Sequence, residues 1–69
     1  MKINWTDGFE IKAEIQGDRI LIGANREGLL SLADICRALA EEGAGAHIHL
    51  DEYNSLEDGS AELILERID

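Results

Sequence analysis

Between Asp7-Gly8 and Gly17-Asp18 the chain alternates without a break. Phe9, Ile11, Ala13 and Ile15 fall on one side of an extended backbone, and Glu10, Lys12, Glu14 and Gln16 on the other. Successive strand side chains point to opposite faces, so Phe9–Gln16 reads as a strand with one buried and one wet face. Gly17-Asp18 is a two-residue turn signal. It is followed by Arg19–Ala24 (RILIGA), apolar on both sides and therefore expected to lie centrally. Met1–Thr6 reads as a preceding strand, with Ile3 and Trp5 on one face and Asp7-Gly8 as its turn.

At Asn25 the period changes. Asn25 has the side-chain oxygen that a helix start requires, and Glu27 suits the positive end of the helix dipole. From there to Glu42, Leu29, Leu32, Ala33, Cys36, Leu39 and Ala40 share one face at helical spacing, flanked by Leu30 and Ile35. Gly43 is a natural left-handed stop. Extended patterns return at His47–Asp51 and Ala61–Ile68, separated by the polar stretch Glu52–Ser60. The expected fold is α+β: a single, mostly antiparallel sheet of about five strands in the order β-β-β-α-β-β, with one helix packed on one face.

Sixty-nine residues, 45% hydrophobic and 30% charged, make one globular domain over residues 1–69. A domain of this size buries a small share of its surface, so a partner or an oligomer would help it. The net charge of −9 is unevenly placed. Residues 1–40 carry six acidic and five basic side chains, whereas residues 41–69 carry nine acidic ones and a single basic one, Arg67. Nucleic-acid binding needs cations for phosphate, so this balance argues against it. It suits capture of a basic protein, and it also serves solubility. A lone cysteine, Cys36, permits no internal disulfide and reads as a small core residue. No run approaches the roughly 20 apolar residues of a membrane helix, and the first ten lack a signal-peptide core. A cytoplasmic protein without membrane association is expected.

His47 and His49, the only histidines, lie two apart in AHIHLD. If Ile48 and Leu50 face the helix, His47, His49 and Asp51 face away, together with Glu10, Lys12, Glu14, Glu62 and Glu66. Three readings fit that face. His47, His49 and Asp51 match the donor types of a zinc, copper or nickel site, which makes a divalent metal the one cofactor to consider. The same residues, with Glu52, Tyr53, Glu62 and Glu66, would make a recognition surface for a protein partner or for a second copy of the chain. Or they are wet-face residues in cross-strand polar pairs. Catalysis has less support. Carboxylates are plentiful, but one helix on one sheet leaves little room for the pocket that would separate their pKa values. The glycines do not form a phosphate loop.

NREGLLSLADICRALA, HIHLD and GSAELILERID, in this order and spacing, resemble the immunity protein 32 family of bacterial polymorphic-toxin systems over roughly residues 20 to 69. The matching positions are Gly28, Leu29, Leu32, His47, His49, Asp51, Gly59, Ser60 and Leu63. The resemblance implies a small, non-enzymatic, cytoplasmic α+β protein, encoded beside a toxin, that binds and occludes that toxin. It would place His47, His49 and Asp51 on the functional face. An acidic face of this kind can imitate the phosphate charge that a cationic nuclease binds.

Overall fold

The alternation of Phe9–Gln16 becomes strand β1 (Ile11–Gln16), paired antiparallel with β2 (Arg19–Ala24) in a register running from Gln16↔Arg19 to Ile11↔Ala24. Gly17 closes the two-residue turn with φ 63°, which places glycine at the first central position, as a tight right-twisted hairpin prefers. The computed structural model describes all residues 1–69. Helix α1 (Arg26–Ala40) follows β2 directly, and β3 (His47–Leu50) pairs antiparallel with β4 (Leu63–Glu66).

The expected single sheet of five strands does not form. The strands make two separate two-stranded sheets, β1-β2 and β3-β4, within an α+β fold. Competition for backbone hydrogen bonds explains the difference. Met1–Thr6 is not a strand; helix side chains take two of its N–H groups on one edge: Asn4 N–H donates to Asp34 Oδ2 at 2.8 Å, and Thr6 N–H to Ser31 Oγ at 2.8 Å. Asp7-Gly8 then forms a chain-reversing turn, with Phe9 N–H donating to Thr6 O, but it joins no pair of strands.

The second interruption lies before β4. Glu57 N–H donates to Ile11 O, Ala61 N–H donates to Ala13 O, and Ala13 N–H reaches the Ser60 hydroxyl. The free edge of β1 is thus covered by the 57–61 segment. Glu57 O also accepts from Ser60 N–H across a tight turn at Gly59 (φ 84°), so the segment is too kinked to extend the ladder. Ala61 and Glu62 consequently stay outside β4. The inner strand is β1, and β2 is an outer strand with a neighbour on one side only. The expectation that RILIGA is central is reversed: every residue of β2 except Ala24 is exposed.

The core comprises Ile11, Ala13, Ile35, Leu39, Leu50 and Leu56, so both hairpins and the 51–62 loop contribute to it. The helix meets this core on a face one residue away from the expected one. Gly28, Ser31, Ile35 and Leu39 are buried, while Leu29, Ala33, Cys36 and Ala40 are exposed. One residue is a rotation of about 100°. The cause lies in the helix's first turns. A Cβ on Gly28 would stand 2.4 Å from the Glu10 carbonyl oxygen and 2.9 Å from Ile11 Cγ1, so only glycine lets the helix sit this close. Ser31, fully buried, accepts from Thr6 and donates to Glu27 O. Close approach and polar satisfaction outweigh the more apolar stripe.

Candidate functional site: the acidic hairpin face

The 47↔66 register of β3 and β4 puts cross-strand partners on the same face. His47 is opposite Glu66, and His49 is opposite Ile64. Ile48 and Leu50 point into the molecule, Leu50 being fully buried, so the histidines look outward as alternation requires. The two imidazoles meet edge to face, with ring centroids 5.2 Å apart. His47 Nδ1 lies 3.0 Å from Gly45 O, and His49 Nδ1 lies 3.3 Å from Glu62 Oε2. His47, His49, Glu62 and Glu66 therefore form one exposed patch with Ile64 among them.

Asp51 and Glu52 are placed differently. Asp51 Oδ1 accepts the backbone N–H groups of Tyr53 and Asn54, and its carbonyl accepts from Asn54, Ser55 and Leu56. Asp51 is thus the anchor of a self-capped turn. Asn54 completes that turn by accepting from Asp51 N–H and donating to His49 O. Glu52 Oε2 accepts from Gly59 N–H at 2.9 Å, which ties the far side of the loop. The net effect is to hold Tyr53, 90% exposed, out from a braced loop beside the histidine strand. No group of three or more His, Cys, Asp or Glu side chains converges as a metal would require, and the Asp51 carboxylate is directed into its own turn rather than toward His47 and His49.

The electrostatics of this half depend on where Arg67 goes. It is the only basic side chain in residues 41–69. Its guanidinium donates to the carbonyls of Ala40 and Glu42 at the end of α1, where a cation meets both unpaired acceptors and the negative end of the helix dipole. Its backbone carries the β3–β4 pairing outward, donating to Ala46 O and accepting from Gly45 N–H. Arg67 Nε also lies 3.5 Å from Asp69 Oδ1, so the guanidinium is shared between the helix end and Asp69 and pairs with neither Glu62 nor Glu66. The excess of carboxylates in this half is set by the sequence, and the fold pairs its one Arg away from Glu62 and Glu66.

The carboxylates with shifted pKa values lie elsewhere. Glu14 is held below the usual carboxylate range by the hydrogen bond from Lys12, helped by Gln16. Asp34 is lowered by the Asn4 backbone N–H and, further, by Arg37. Asp34 and Arg37 line, with Lys2, Asn4, Ala38 and Glu41, a cleft of about 210 Å³ between the N-terminal segment and α1. Of its charged groups, Asp34 and Arg37 pair with each other. The feature that sequence reasoning missed is apolar: Ile15, Ile20, Leu21 and Ile22 on the first hairpin, and Leu29 and Leu30 on the helix, are exposed. The available signal was RILIGA itself, since a strand apolar on both sides needs two covers and the chain has one helix.

A family model described as Immunity protein 32 matches residues 19–68, from the start of β2 past the end of β4. No curated protein and no solved structure matches the chain significantly.

Proposed function

The chain belongs to the immunity protein 32 family, and we propose that it is a cytoplasmic protein that binds and occludes a basic toxin domain through the outer face of the β3–β4 hairpin. His47, His49, Glu62 and Glu66 form the contact patch on this reading, and Tyr53 is an aromatic anchor at its edge. Asp51 and Glu52 contribute by bracing the loop that carries Tyr53, with carboxylate charge added beside it. Family membership speaks for a protein partner and a non-enzymatic role: the protein acts by occupying a surface, not by turning over a substrate.

The observation that carries this reading is the unbalanced charge of residues 41–69, whose one cation is folded back onto the helix end. A cationic partner approaching this hairpin meets carboxylates and two imidazoles without a competing guanidinium. Complementary charge of this kind speeds encounter and fixes orientation. Calorimetry against the toxin domain encoded beside the gene, at low and at high salt, tests it. Affinity should fall steeply with salt, and Glu62→Lys/Glu66→Lys should weaken it by at least roughly tenfold, about 1.4 kcal/mol. Salt-insensitive binding, or full affinity in that double variant, would exclude the acidic face as the contact.

A further inference from the structure

The exposed apolar residues of the first hairpin cluster on one edge. The cross-strand pairs Ala13↔Ile22 and Ile15↔Ile20 share the face that begins at the buried Ile11 and the half-buried Ala24 opposite it. The helix covers the base of that face and leaves its outer end bare, so Ile15 is 72% and Ile20 77% exposed. Strand β2 has no neighbour on the side away from β1. The carbonyls of Ile11 and Ala13 point away from β2 and accept from Glu57 and Ala61. In an antiparallel ladder the residues opposite them, Ala24 and Ile22, then turn their own peptide groups to the outer edge. Ile20 follows by the same alternation. An exposed, regular, apolar edge is a template for another strand.

Charge indicates which strand. In a chain of net charge −9, the stretch from Gly17 to Arg26 carries one acid, Asp18, and two bases, Arg19 and Arg26, the latter 78% exposed at its side chain and 3.6 Å from the adjacent Glu27. A basic toxin drawn to the acidic hairpin has no electrostatic reason to dock here. A second copy of the chain does, because this is the part of its surface where two acidic molecules repel each other least. We propose that two copies pair through antiparallel β2 strands about a two-fold axis at Ile22. That register places Ile20 opposite Ala24 of the other copy, and Asp18 opposite its Arg26, so two opposite-charge pairs form at the ends. It uses the outward peptide groups of Ile20, Ile22 and Ala24. It builds one four-stranded sheet, β1-β2-β2-β1, from two hairpins that are each marginal alone. Because α1 starts two residues after Ala24, each helix would arrive beside the bare Ile20 of the other copy.

The proposal concerns the protein without its toxin, so it stands or falls separately from the acidic-face reading. Sedimentation equilibrium on the full chain, across a wide concentration range, should show a reversible dimer. Ile20→Lys should abolish it while leaving the circular dichroism spectrum unchanged, since Ile20 is mostly solvent-exposed in the single chain. Asp18→Arg and Arg26→Asp should each weaken the dimer several-fold, and the double exchange Asp18→Arg/Arg26→Asp should restore it. A monomer at every concentration, a dimer indifferent to Ile20→Lys, or a double exchange no better than the singles would each overturn this pairing. If the chain is monomeric and Ile20→Lys instead loses the toxin, the edge belongs to the toxin and self-pairing is wrong.

Discussion

Strands β1 and β2 run six residues each and are joined by the two-residue turn Gly17-Asp18, whereas β3 and β4 run four residues each and are separated by the whole 51–62 loop. The local hairpin forms a long ladder cheaply, because little chain entropy is lost in closing it. It then overshoots the core, and Ile15 and Ile20 are left bare. The non-local hairpin extends only as far as tertiary packing holds it, through Leu50 and Leu56 in the core and Leu63 and Leu65 against it. Its loop satisfies its own polar groups through Asp51, Glu52 and Asn54. One hairpin therefore ends with surplus apolar surface and the other with surplus charge. A small domain can present two chemically distinct faces when its two sheets are closed at different ranges.

The hardest way to break the comparison is through the shared core. Ile11→Ala on the first hairpin and Leu50→Ala on the second should each cost about 2–5 kcal/mol, since both side chains are fully buried. Denaturant melts followed by Trp5 fluorescence and by histidine ring resonances should coincide in the wild type. If they separate, the hairpins are independent units rather than two ends of one.

A smaller effect contrasts the asparagines that tie each half. Asn25 Oδ1 accepts from Gly28 N–H at the helix start and from Glu10 N–H, and Asn25 Nδ2 donates to Gly8 O. Asn25→Ala should cost about 2 kcal/mol, at the upper end for a helix cap. Asn54→Ala, which loses the brace between Asp51 and His49, should cost about 1 kcal/mol. Chemical denaturation measures both, and an equal or reversed order would mean that the loop, not the helix start, is the tighter joint.

The smallest effect is in acid. The pKa of Asp34 is lowered in the fold, so its ionised form is favoured there over the unfolded chain. Its contribution is present above the unfolded pKa and is lost as pH falls through the folded one. Asp34→Asn should therefore flatten the acid side of a stability–pH profile measured by thermal melts, with little change near neutrality in the profile's shape. An unchanged acid slope would show that the Asn4–Asp34 tether does not couple to folding.

Much of the local structure was legible in the residues. Gly17-Asp18, the alternation through Gln16, the Asn25 cap and the outward-facing histidines all rest on turn chemistry and period. The helix face is not legible in this way: apolar content favours Leu29, Ala33 and Cys36, while the deciding contacts are Gly28 against Glu10 and Ser31 against Thr6. Of the expected face, alternation alone places His47, His49 and Glu66 together across the β3–β4 pair, whereas Glu10, Lys12 and Glu14 lie with the other sheet. The internal duties of Asp51, Glu52 and Arg67 were not legible, since each depends on a backbone group brought near by folding.

By itself the sequence determined the hairpin, the helix, the family and the acidic bias of the last 29 residues, because period, turn geometry and charge act over a few neighbours. Only the tertiary structure decided that five extended patterns become two sheets of two. A pattern of alternating side chains can choose which face is wet, but it cannot choose a partner for the backbone. Asp34 and Ser31 claimed the Asn4 and Thr6 N–H groups of the first segment, and the kinked 57–61 stretch claimed the free edge of β1. Each such contest is settled between residues far apart in the chain, where the nearest satisfied hydrogen bond wins.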